Sequence, residues 1–218
     1  MPPSPRTPSL KGQVLTCLLF VALAVATTAL LHPSPKFTQW HSGQPIGLQL
    51  SIAGAFAVLL ATGAAIVLHV PALCRLVRVP ATLMTIDLSG TRPWIVGLCA
   101  GIGEELLFRA SLQPLVGLWV GAIIFAAAHA RTAMLGSPSI VKRSAYLLNV
   151  AAAGVALGLV FEHLGLVAAI LIHASIDVIG LMALRSVAAR SAPKSAAYHS
   201  IEGTLSGLRP PSAPHVKR

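Results

Sequence analysis

Acidic side chains are scarce in this chain. Among 218 residues there are six Asp and Glu against sixteen Lys and Arg, and charged residues make up 10% of the total, where soluble domains carry roughly 25%. So little charge excludes an ordinary soluble domain, which needs a charged surface to face water. Aromatics are few as well, at 5%. No basic face with an aromatic platform accompanies the formal charge of +10, so nucleic acid is not an expected partner. The three cysteines, Cys17, Cys74 and Cys99, show neither paired nor metal-ligand spacing. They read as small hydrophobes rather than a disulfide framework.

Apolar runs fill the space that charge leaves. The chain is 55% hydrophobic with a mean hydropathy of +0.78, and a membrane span needs about 20 mostly apolar residues. Six segments qualify, at roughly 13–31, 47–69, 93–113, 117–135, 144–161 and 164–184. The expected fold is therefore all-α: a polytopic membrane protein, a bundle of about six transmembrane helices. Arg6 and Lys11 precede the first segment as they would in a signal peptide. Its apolar core, however, exceeds the roughly 7–15 residues of a signal h-region, and no clear cleavage site follows, which favours a retained helix.

Composition divides the chain further. Residues 1–12 read as a cytoplasmic N-terminal segment and 13–69 as two peripheral transmembrane helices. Residues 70–92 read as a connection in which 80–88 forms a short interfacial helix, from Pro80 to the turn signal Ser89-Gly90. A four-helix core follows at 93–184, then a disordered basic tail at 185–218. Lys and Arg collect before the first span, between the second and third, around the end of the fourth and after the sixth, while the alternate connections hold only Lys36. That asymmetry places both termini in the cytoplasm.

Four of the six acids, Glu104, Glu105, Glu162 and Asp177, lie in the most apolar stretches. A carboxylate at bilayer depth costs at least a few kcal/mol, and such residues usually mark a polar pathway or a reaction centre. In Glu104-Glu105-Leu106-Leu107-Phe108-Arg109, Glu105 and Arg109 are i,i+4 neighbours on a helix and can pair. Glu104 is turned about 100° away and lacks that partner. In Phe125-Ala126-Ala127-Ala128-His129, the alanines permit close helix approach, and Phe125 is most simply packing. In His173-Ala174-Ser175-Ile176-Asp177, the aspartate can orient the imidazole. Glu162-His163 reads as a solvated turn. Glu104 falls about 11 residues into its span, roughly 17 Å deep at 1.5 Å per residue. His173 lies near mid-depth too, and His129 joins them if the fourth helix continues to about Leu135. A shared site then requires carboxylate-to-imidazole distances of roughly 5–6 Å or less, the reach of one bridging water.

The run EELLFR, then FAAAH, then HASID resembles, in order and spacing, the three signature motifs of the CAAX-protease and bacteriocin-processing (CPBP/Abi) family of intramembrane endopeptidases, over about residues 92–184. Ala110 stands where a glycine commonly follows the arginine, and Asp177 where many members carry asparagine. The resemblance implies that Glu104 and His129 activate a water for attack on a peptide carbonyl. It further implies that His173 and Asp177 stabilise the oxyanion, and that Glu105 with Arg109 holds the site together. An ionised aspartate is a poor oxyanion partner, so Asp177 would be protonated or would orient His173. The implied function is hydrolysis of a peptide bond in a membrane-associated or prenylated-type substrate. The expected partners are the lipid bilayer and a peptide or membrane-protein substrate. The small size and lack of a soluble domain suit a bacterial cell membrane. No HExxH occurs and no metal or other cofactor is expected, with Zn²⁺ the alternative, because two histidines and two or three carboxylates are ligand types it takes. A proton- or cation-coupled transporter and a non-catalytic immunity or scaffold protein are the competing functions, since carboxylate and histidine chains also relay protons.

The charge asymmetry generates a direct test. Reporter fusions after residue 40 and at the C terminus should lie on opposite sides of the membrane. Finding both on one side would mean that the first span is removed or that the count of spans differs.

Overall fold

The computed structural model describes residues 10–33, 37, 40, 43–70, 87–130 and 139–191. Six helical rods are present among them: α1 (Leu10–Leu31), α2 (Ile46–His69), α3, α4 (Leu118–Ala128), α5 (Ile140–His163) and α6 (Leu166–Ser191). The third is composite. It starts as an α-helix at Arg92–Glu104, widens into a π-helix at Glu105–Leu112 and closes with a turn at Gln113–Val116. No strand forms among the described residues; one isolated bridge joins Gly43 to Gly165. Rods α1, α2, α5 and α6 are each long and apolar enough to cross a membrane, and α4 is a shorter apolar helix. Large hydrophobics such as Leu15, Leu59, Trp119 and Ile140 point outward. An integral membrane protein presents such side chains to lipid.

The end of the last rod differs from the sequence expectation. The sixth rod continues to Ser191, past the expected end at 184, because Arg185 and Arg190 are engaged rather than trailing in solvent. Arg185 donates to the Gly90 carbonyl at 3.2 Å, and Arg190 donates to the Leu68 carbonyl. The remainder of the expected tail, 192–218, lies outside the described residues, as does most of the expected interfacial helix. Arg92, Lys142, Arg143, Arg185 and Arg190 make one end of the bundle its basic end. There Asp87 pairs with Arg92, and the backbone N–H of Ser89, with Arg92 adding a smaller effect, holds the Asp87 carboxyl below the usual carboxylate range.

Glycines set the closeness of the two central pairs. A Cβ on Gly101 would stand 2.9 Å from both the Cβ and the backbone N of Ala174, and one on Gly97 would stand 2.6 Å from Val178. The Gly97-x-x-x-Gly101 stripe therefore lets α3 lie directly on α6, with backbones in near contact. A second pair, Gly154 and Gly158 on α5, receives Phe125, Ala122 and Leu118 of α4 together with Gln113. The first rod lies on the other side of α3, where Gly103 meets the Cys17 backbone, and α2 packs on α6.

Polar contacts pin the end opposite the basic one. Gln44 N–H donates to the Leu164 carbonyl at 2.8 Å, and the Gln49 side chain donates to the Gln44 carbonyl at 2.7 Å while accepting from Ala168 N–H at 3.0 Å. Gln49 thus satisfies a backbone donor in the first turn of α6, which would otherwise be unpaired in an apolar setting. Gly43 and Gly165 take positive φ, 121° and 122°, and a Cβ on Gly165 would stand 2.8 Å from the Gln49 amide nitrogen.

Substituting Gly101 by Leu should destabilise the protein by about 1–3 kcal/mol through overpacking, read as a lowered thermal midpoint of the detergent-solubilised protein. Gly54→Leu on α2, where a Cβ meets nothing within 4 Å, should leave the midpoint in place. Equal midpoints for the two variants would refute the close-packing account.

Candidate active site

The composite rod supplies the two glutamates. Glu104 ends its α-helical part and Glu105 opens the π-helix. A π-helical segment widens the turn and shifts the direction of side chains along a helix, and such segments recur at functional sites. Pro114 lacks an N–H and sits in the turn that follows, withdrawing a donor from the carbonyls one turn back.

Glu105 and Arg109 are both fully buried and pair through Arg109 Nε and Glu105 Oε2 at 3.1 Å, as their i,i+4 spacing predicts. The second oxygen has a partner that spacing did not reveal. Glu105 Oε1 accepts from His173 Nδ1 at 2.7 Å. The expected orienting group, Asp177, stands instead on the other side of the ring, with Oδ2 3.8 Å from His173 Nε2. The reason is the glycine stripe, which brings α6 so near to α3 that His173 meets Glu105. The guanidinium carbon of Arg109 lies 4.8 Å from the centroid of the Phe125 ring, a cation–π placement that offsets part of the cost of burial.

The fourth rod contributes His129 from its C-cap position. The sequence reading required the helix to continue to about Leu135, and residues 131–138 lie outside the described ones; His129 reaches the site from the helix end itself. Its Nδ1 donates to the Phe125 carbonyl at 2.9 Å. A carbonyl can only accept, so that nitrogen carries the hydrogen and Nε2 faces the site. The same logic applies to His173, whose Nδ1 donates to a carboxylate already paired with arginine. Both Nε2 atoms therefore point at one atom: Glu104 Oε2 lies 3.7 Å from His129 Nε2 and 4.0 Å from His173 Nε2. These distances fall within the reach of a bridging water. Glu104 Oε2 is buried with no direct hydrogen-bond partner.

Exposure rises toward one side of the site. The side chain of Glu105 is 0% exposed, His173 9%, Glu104 16%, His129 25% and Asp177 35%. On α6 Asp177 lies one turn nearer the basic end than His173, so the site opens toward the basic end. All six sequence-selected residues thus gather in one place, on α3, α4 and α6. Among the described residues, no group of three or more His, Cys, Asp and Glu side chains has metal-holding geometry.

Phe125, expected to be packing, does pack with Leu107 and Phe108, but its ring also lies 4.7 Å from that of His129 and 6.2 Å from that of His173. Two further polar groups were missed. Ser111 on the π-helix bonds Thr28 at 2.8 Å and the Ala24 carbonyl at 2.9 Å, while its own carbonyl partners His32 Nε2 at 2.7 Å. Gln113 donates to the Gly158 carbonyl at 3.2 Å and to Glu162 at 2.9 Å. Glu162 is exposed, but it and His163 lie in the last turn of α5 rather than in a connecting turn, and Glu162 ties α3 to α5. The available signal was the presence of Thr28, His32 and Gln113 within or beside apolar runs.

Residues 91–179 match the family model described as Rce1-like, type II CAAX prenyl endopeptidase. No curated protein and no solved structure matches the chain.

The geometry separates the two glutamates. Glu105→Ala leaves a buried guanidinium without its counter-charge and His173 without its acceptor, so it should destabilise the protein by about 3–5 kcal/mol and collapse the yield of folded, monodisperse protein. Glu104→Ala removes no direct hydrogen bond of Oε2 and should purify and melt like the unmodified chain. Similar melting of the two variants would contradict this division.

Proposed function

We propose, from the match of residues 91–179 to the Rce1-like model of type II CAAX prenyl endopeptidases, a family of hydrolases, that this membrane protein is an intramembrane peptidase that uses Glu104 and His129 to activate water against a peptide bond near a membrane surface. The substrate class is a membrane-associated or prenylated-type peptide. One observation carries the reading: two imidazoles, each with Nδ1 already engaged, direct Nε2 at a single oxygen of Glu104.

A water held between Glu104 Oε2 and His129 Nε2 has acceptors for both of its protons. Glu104 takes one proton as the water oxygen bonds to the carbonyl carbon, and the carbonyl electron pair moves onto its oxygen. His173, held by Glu105, faces that oxygen from the opposite side, with Asp177 next to its Nε2. Collapse of the tetrahedral species breaks the C–N bond, and the proton on Glu104 passes to the leaving amine. The proton left on the new carboxyl group passes to His129 Nε2 and on to the medium, so water is consumed and a carboxylate and an amine are released. General acid–base assistance of this kind contributes about 10²–10⁴-fold. Metal takes no part in this reading. Both termini are cytoplasmic in it, and the opening at the basic end faces the cytoplasmic leaflet, where Lys and Arg can attract a substrate carboxylate or anionic lipid.

The purified full-length protein should cleave members of a peptide set that includes farnesyl-cysteine peptides of the C-a-a-X type, with products identified by mass spectrometry. Glu104→Gln should lower the rate by about 10²–10⁴-fold, and strong chelators should leave the wild-type rate unchanged. Cleavage that is indifferent to Glu104→Gln would overturn the reading. Activity lost on chelation and restored by zinc would replace it with zinc-activated water.

A further inference from the structure

The site as described is rich in acceptors and poor in donors. Glu104, Glu105 and Asp177 are carboxyl groups, both imidazole Nδ1 hydrogens are committed elsewhere, and the Arg109 head group is fully buried behind Glu105 and against Phe125. An oxyanion, however, needs hydrogen-bond donors aimed at it.

Helix register brings one forward. On α5, Gly154 lies against Phe125 and Ala122 of α4. Val150, one turn nearer the basic end, packs on the cluster of Phe108 and Phe125. Tyr146 is the next residue on that stripe, a further turn of about 6 Å along. On the antiparallel α4, one turn beyond Phe125 in the same direction is His129. This register sets Tyr146 at the depth of His129, on the turn of α5 toward the basic end where the site opens. Its phenol is close enough to Glu104 and Asp177 to interact with both electrostatically, and at 37% exposure it is open to an incoming molecule.

We propose that Tyr146 is a further catalytic residue, its phenol O–H donating a hydrogen bond to the oxyanion that forms on the scissile carbonyl. This inference rests on the peptidase reading above. As the water oxygen bonds to carbon and the carbonyl electron pair moves to oxygen, the phenol stabilises the new charge without giving up its proton. When the C–N bond breaks, the pair returns to re-form the carbonyl, and Tyr146 is unchanged. A phenol supplies this donor without the repulsion that an ionised carboxylate would bring.

The test compares full-length wild type, Tyr146→Phe and Glu104→Gln on a farnesyl-cysteine C-a-a-X peptide. Tyr146→Phe keeps the ring and removes only the donor, so melting should be unchanged, kcat should fall about 10²-fold and KM should stay within about threefold. A kcat within twofold of wild type overturns the inference while Glu104→Gln still upholds the peptidase. A change confined to KM also overturns it, because it would mark Tyr146 as a substrate contact alone. If Glu104→Gln cleaves as well as wild type, or wild type cleaves nothing, the peptidase reading fails and the role of Tyr146 falls with it.

Discussion

The buried carboxylate of Glu105 is the constraint on which the rest of the site depends. A lone ionised carboxylate in an apolar bundle is heavily penalised, and the penalty is offset only when its lone pairs meet matched donors. Glu105 meets two at once: Arg109 from its own helix at 3.1 Å, and His173 from α6 at 2.7 Å. The second contact forms only because Gly97 and Gly101 let the two backbones touch. Removing side-chain bulk at two positions on α3 thus determines the tautomer of a histidine on α6. That tautomer in turn directs Nε2 toward Glu104.

The buried polar contacts of α1 belong to the same economy of charge in an apolar medium. Thr28, His32 and the Ala24 carbonyl converge on Ser111, within the π-helix that carries Glu105 and Arg109. A π-helix is a strained departure from the common helix, and its carbonyls need partners where lipid supplies none. The first rod provides some of them. It therefore supports the geometry of a site to which it contributes no reacting group.

Much of this was legible in the residues themselves. The apolar runs marked all six rods, because period and length dictate burial in lipid. The i,i+4 pairing of Glu105 with Arg109 followed from spacing on one helix, and the three motifs marked the six side chains that gather. What spacing could not supply were contacts between helices. The Glu105–His173 bond, the Ser111 cluster and the Gln113–Glu162 tie each join residues 49 to 87 positions apart, and one sequence carries no register between such segments. The Gly97-x-x-x-Gly101 stripe was a readable sign of close packing, but it does not name the helix that will fill it. The π-helix had no signature beyond Pro114.

The distribution of ties along the bundle has a mechanical meaning. Rods α2, α3 and α6 are fastened to one another at the basic end by Arg185 and Arg190, and α2 and α6 are joined at the opposite end through Gln49 and Gly165. The α4–α5 hairpin is joined to α3 and to the α5–α6 turn at that opposite end, through Gln113, Glu162 and Leu164. Glu104, Glu105, His173 and Asp177 sit on α3 and α6, which the glycine stripe locks together, and His129 sits on α4. The 2.7 Å bond therefore lies within one locked pair of rods, while the 3.7 Å separation of His129 from Glu104 spans the seam to a third. A change in the seating of α4 would reach the water-activating pair before it reached the Arg109–Glu105–His173 chain.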